Sequence, residues 1–122
     1  MKYTVEHEDA MDTLILHEER LDATNSADFK GELLLICRSG IEVLFVDLSE
    51  VDFCDSSGLS ALLLTHREMK VSGGAAIFIC MSPKVKSLIE LTQLDRVLYL
   101  YETREEAMAD LQAADEDELD GD

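Results

Sequence analysis

Five consecutive residues, Asp55-Ser56-Ser57-Gly58-Leu59, are the ones in this chain best suited to chemistry. They hold two hydroxyls, a carboxylate able to cap a helix, and a glycine that lets another chain approach closely. By pattern they follow a buried strand and open a helix. Unpaired N–H groups and the positive end of the helix dipole favour a phosphate at such a place, whether bound or attached. No Lys or Arg lies within the motif, and the chain has no GxxxxGK[ST] pattern to hold a nucleotide. The motif therefore suits modification better than ATP binding. Asp-Ser-Ser-Gly is also an ordinary helix start, so its position carries the functional reading. That position is the carboxyl end of a buried strand, where α/β proteins place their sites.

The two serines are not equivalent. On an ideal helical wheel Ser56 falls nearer the Leu59, Leu62, Leu63 and His66 stripe, which makes Ser57 the more exposed. An N-cap residue lies outside helical geometry, however, and a wheel does not describe it.

Other reactive types are arranged less favourably. Asp22, Asp52 and Asp55 could surround a Mg²⁺ ion, but acids around loops more often cap helices or face water, and no metal is expected. Cys37, Cys54 and Cys80 are odd in number and lack metal-ligand spacing, so they read as reduced, mostly buried thiols. Cys54 has no neighbouring base in sequence to lower its pKa, which favours packing over redox sensing. The three histidines show no catalytic pairing, and His66 reads as a satisfied core or boundary residue. No cofactor is implied, and the chain reads as a non-catalytic protein.

The elements that must position the motif follow from periodicity and capping. Lys2–Glu8 and Met11–His17 read as two strands joined around Asp9-Ala10. A helix follows, with Asp22, Thr24, Asn25 and Ser26 as possible N-caps and Phe29, Leu33 and Ile36 or Cys37 facing inward, and Gly40 ends it. Ile41–Leu48 is a nearly continuous apolar run, as expected for a strand buried on both faces. The second helix runs from the serine motif to about Lys70, and Gly73-Gly74 stops it before the strand Ala75–Cys80. Ser82 and Pro83 cap the third helix, with Val85, Leu88, Ile89 and Leu91 facing inward. A short strand, Val97–Tyr101, precedes a last helix capped by Thr103 and ending near Ala113.

The order ββαβαβαβα predicts an α/β fold: a mostly parallel or mixed sheet of four to five strands with four helices and right-handed crossovers. Residues 1–113 form one domain, and residues 114–122 an acidic tail expected to be disordered and solubilising.

Charge narrows the partners. The net charge is −17 over 122 residues. Asp115–Asp122 holds six acids and no base, and taking those six away moves the charge only from −17 to −11. So acidic a body repels phosphate backbones and anionic lipid, so neither nucleic acid nor membrane is an expected partner. A protein with a basic docking face is the natural complement. The polar N-terminus is unlike a signal peptide and no apolar run spans a bilayer, so a cytoplasmic location is expected.

Three ordered stretches carry a family resemblance. VLFVDLSEVDFCDSSGLSALL resembles the core signature of the STAS domain, as found in bacterial anti-sigma factor antagonists. RLDATNSADF resembles the segment in which an aspartate opens the first helix, and GGAAIFICMSPKVKSLIEL the Gly-Gly, strand and Ser-Pro-x-Val-Lys helix. The similarity covers about Tyr3 to Leu111. It implies partner switching: binding to an anti-sigma factor that is also a GHKL-type serine kinase, release by phosphorylation of Ser56, and resetting by a PPM-type phosphatase. Asp22, Thr24, Asp55, Ser57 and Gly58 are then the partner-binding residues. The resemblance chooses Ser56 over Ser57. Glu19 and Gln93 depart from it, since glycine is common at both positions in the family. The other reading is a STAS subunit of a lipid-transport or transporter complex whose serine is never modified.

Overall fold

A computed structural model describes the backbone of residues 1–120 and the side chains of residues 1–113. The strands are β1 (Tyr3–Glu8), β2 (Met11–Leu16), β3 (Arg20–Leu21), β4 (Val43–Asp47), β5 (Phe53–Cys54), β6 (Ala75–Ile79) and β7 (Tyr99–Tyr101). The helices are α1 (Ser26–Cys37), α2 (Ser56–Val71), α3 (Pro83–Leu91) and α4 (Arg104–Asp120), with a 3₁₀ turn at Leu94–Arg96. The expected order holds once β3 and β5 are added. Two residues each, they are too short for alternation to reveal.

Five strands form one mixed sheet in the order β1-β2-β4-β6-β7. β1 runs antiparallel to β2, and β4, β6 and β7 continue parallel to β2. The residues of β4 show why a nearly unbroken apolar run was needed. Leu44 and Val46 point into the larger core beside Phe29, Leu33, Leu62, Met69, Val85 and Ile89, which come from α1, α2 and α3. Phe45 points the other way, into a smaller cluster with Ile77, Ile79 and Ala107 of α4. Three helices thus cover one face and α4 covers the other. No helix among the described residues is long and apolar enough to cross a membrane.

Most of the predicted punctuation is present. The Ser82 hydroxyl accepts a hydrogen bond from the Val85 N–H at 3.3 Å, with Pro83 at the first helical position. The Thr103 hydroxyl accepts one from Glu106 N–H at 3.1 Å. Gly73, at φ +88°, makes the left-handed turn that ends α2. A side chain at Gly74 would collide with the Glu42 carbonyl oxygen.

Two expectations, the inward Leu91 and the end of α4, need correction, and two positions, Asn25 and Gln93, gain detail. Asn25 is the N-cap of α1, and its side chain makes no capping bond. Leu91 is 80% exposed, because α3 ends there and turns away from the core. Gln93 sits at φ +63°, which explains why glycine is at home in that position. α4 runs on past Ala113 to Asp120. The expectation of a disordered acidic tail falls on side chains outside the described residues.

His66 lies on the inward face of α2, 5% exposed, with its ring edge-on to Tyr99 of β7 at 5.6 Å. It is a core residue as expected, but not a satisfied one, because Nδ1 is buried without a hydrogen-bond partner. Burial first, then the Lys70 and Arg67 charges, hold its pKa below the ordinary 6.5. The folded chain therefore favours neutral His66, and the unfolded chain binds the proton more readily. The stability His66 contributes is complete above about pH 6.5 and falls as pH drops toward its folded pKa. His66→Gln should flatten this part of the stability profile, read as urea midpoints between about pH 7.5 and 5. Parallel profiles for the two proteins would contradict the assignment.

Candidate functional site

The site is built on the two short strands. β3 and β5 pair in parallel, Arg20 with Phe53 and Leu21 with Cys54. The pairing begins one residue earlier, where the Glu19 carbonyl accepts from the N–H groups of Asp52 at 2.8 Å and Phe53 at 3.1 Å. Glu19 is itself exposed, so its departure from glycine alters the surface and leaves the pairing intact. The register sets Asp22 and Asp55, the next residues on each strand, side by side.

Each aspartate then orders a turn. Asp55 is the N-cap of α2: Oδ1 accepts from Gly58 N–H at 3.1 Å, and Oδ2 accepts across the site from Ala23 N–H at 3.3 Å. Asp22 Oδ1 accepts from the Thr24 N–H at 2.9 Å and the Thr24 hydroxyl at 2.5 Å, while Oδ2 accepts from Arg20 Nε at 3.1 Å. These bonds from Thr24, with the Arg20 guanidinium, hold the Asp22 carboxyl below the usual carboxylate range. Asp22 is thus held in its charged form, and Asp55 is held in place by its two backbone hydrogen bonds.

This geometry settles the relation between the serines. Asp55, not Ser56, is the N-cap, so Ser56 is already the first helical residue. Ser56 is exposed and Ser57 half-buried, the reverse of the helical-wheel expectation. The wheel failed because at the first turn the neighbouring strands, not the rest of the helix, decide what is covered. Among the described residues neither hydroxyl donates or accepts a hydrogen bond. Ser56 therefore stands exposed and without a hydrogen bond at the first turn of α2.

Gly58 serves a different purpose from the one its sequence suggested. It is buried, and a Cβ there would collide with the Leu21 carbonyl oxygen and the Cys54 sulfur. The close approach comes from the protein's own β3 rather than from another chain. Bases that the motif itself lacks reach its rim from other elements. Lys84, at the start of α3, lies 3.5 Å from Asp52, and the Arg20 guanidinium stacks 4.1 Å above the half-exposed Phe53 ring. Sequence reasoning missed this cation–π pair, because only the β3–β5 register brings the two residues together. Asp22, Asp52 and Asp55 are each engaged separately rather than converging as metal ligands. Burial and then Asp55 push the Cys54 thiol up to about 12, which keeps it protonated and unreactive.

The fold and site define a class: a small α/β domain that presents an exposed, unbonded serine at a helix N-terminus, next to one of two ordered carboxylates paired across the β3–β5 register. Residues 3–107 match the STAS domain, and the chain belongs to the STAS domain family. A Thermotoga maritima protein provisionally named an anti-sigma factor antagonist is 32% identical over 99 residues, covering 80% of this chain and 88% of its own length. A crystal structure of a Thermotoga maritima protein with the same provisional name superposes with a TM-score of 0.79 at 27% identity, covering 90% of this chain and 94% of the other. The anti-sigma factor antagonist SpoIIAA in its unphosphorylated form shares the fold, with a TM-score of 0.75 at 19% identity and coverage of 92% and 97%.

Two substitutions separate the structural part of the motif from its free part. Gly58→Ala should cost about 1–3 kcal/mol, as overpacking against a backbone carbonyl does. Ser56→Ala should stay within about 0.5 kcal/mol of the parent. Urea denaturation of the three proteins checks both. Equal stability of Gly58→Ala and the parent would contradict the packing account.

Proposed function

We propose that this protein is a phosphorylation-controlled anti-sigma factor antagonist, acting in the cytoplasm as a binding protein rather than an enzyme. In its unmodified form it binds an anti-sigma factor that is also a GHKL-type serine kinase, and so regulates transcription indirectly. Phosphorylation of Ser56 releases it, and a PPM-type phosphatase returns it to the binding form. The partner surface comprises Asp22, Thr24, Asp55, Ser57 and Gly58, with Gly58 acting through the backbone it lets pack. The observation that carries this reading is the exposed Ser56 hydroxyl, with no bond of its own, beside Asp55, whose carboxylate, like that of Asp22, is engaged by the chain's own N–H groups.

The physical consequence of phosphorylation supports it. A phosphate adds roughly −1.5 to −2 charges at neutral pH. At the first turn of α2 the helix dipole tolerates that charge, so the helix should persist. The new dianion nonetheless sits beside Asp55, on a surface already committed to negative charge. A partner face shaped for a hydroxyl would meet both a clash and an uncompensated charge. Release without unfolding is the expected result.

Incubation with the cognate kinase and ATP, followed by intact-mass measurement, tests the assignment. One phosphate should be added to the parent and to Ser57→Ala, and none to Ser56→Ala. Loss only in Ser57→Ala would move the site by one residue. No addition to any of the three, with the kinase active on itself or another substrate, would overturn the proposal.

A further inference from the structure

The C-terminal half of α2 carries a second feature, roughly 15–20 Å along the helix from Ser56. A groove of about 600 Å³ lies between α2 and the 3₁₀ turn that leads into β7. Its walls are Leu63, Val71, Leu94 and Val97, and its polar groups are His66, Arg67 and Lys70. Val71 is 86% exposed and Val97 46%, which leaves apolar surface uncovered.

The charged groups that line the groove are all basic, with no carboxylate among them. Arg20, Arg38, Lys84, Lys86 and Arg104 each have a carboxylate within ion-pair distance. Arg67 and Lys70 have none among the described residues, and neither do Lys2, Lys30 and Arg96, but of these only Arg67 and Lys70 line the groove. His66, whose ring lines the same groove, keeps a buried Nδ1 without a partner. Two cations without an acidic partner and the His66 ring thus share the lining of one largely apolar trough. A mostly apolar concavity of this size with a few convergent polar groups has the form of a small-molecule site.

We propose that this groove binds an amphipathic monoanion, a carboxylate with an aliphatic body, with its head at Arg67 and Lys70 and its body along Val71, Leu94 and Val97. The field of the whole protein favours so small a ligand. A single negative charge meets the repulsion of the −17 chain once, whereas an acidic protein segment meets it at every carboxylate. The site is separate from the serine platform and does not depend on the partner-switching reading.

Decanoate, kept below its micelle-forming concentration, is the probe, and amide and imidazole NMR shifts of the full chain are the readout. Saturable shifts should centre on Leu63, His66, Arg67, Lys70, Val71, Leu94 and Val97. Arg67→Gln/Lys70→Gln, at exposed positions, should weaken binding at least about fivefold, as expected for the loss of two exposed charge contacts. Decanol, which has the same body without the charge, should bind more weakly than decanoate. Val71→Asp should weaken decanoate through the apolar wall. Shifts scattered over the surface, equal binding of the alcohol, or indifference to the double substitution would each overturn the proposal.

Discussion

Two residues of β3 lying parallel to two residues of β5 are the constraint on which the site depends. The pairing places Asp22 beside Asp55, and each carboxylate then orders its own turn by accepting N–H groups of the chain. The pair closes only because Gly58 has no side chain to strike the Leu21 carbonyl and the Cys54 sulfur. Removing the glycine would push the start of α2 away from β3 and pull Ser56 off its platform. The rest of the fold supports this arrangement. β4 carries the chain to β5 from the centre of the sheet, and α2 is anchored by Leu59, Leu62 and Met69 in the larger core.

A serine used as a switch must be free while its surroundings are fixed. Ser56 has no bond to lose, so adding a group to it disturbs nothing inside the protein. Its neighbours have every reason to stay where they are. Asp22 is held charged by Thr24 and Arg20, and Asp55 is bound to two backbone N–H groups. Under the proposed function, a phosphate there would change what a partner meets far more than it would change the domain. This separation is what a binding protein regulated by modification requires.

The sequence carried much of this, for identifiable reasons. β4 and β6 were legible because strands buried on both faces must be apolar throughout. α3 was legible because serine and proline mark its first turn. The ends of α1, α4 and β7 were less sharp, since fraying and tail composition carry little signal there. β3 and β5 were invisible because two residues show no period. With them went the partner of Gly58, the Arg20–Phe53 stack and the true exposure of Ser56 and Ser57. Each of those depends on a pairing between segments more than thirty residues apart, which no local pattern encodes.

The central claim is that the Ser56 phosphate acts on the partner and not on the fold. Isothermal titration of the cognate anti-sigma factor kinase with this protein, unphosphorylated and phosphorylated at Ser56, tests it most directly, with the amide NMR spectrum of each form recorded alongside. The account predicts binding at least about tenfold weaker for the phosphorylated form, with shifts confined to the first turn of α2 and the Asp22–Thr24 turn. Equal affinity of the two forms, or weaker binding accompanied by loss of the α2 signals, would contradict it.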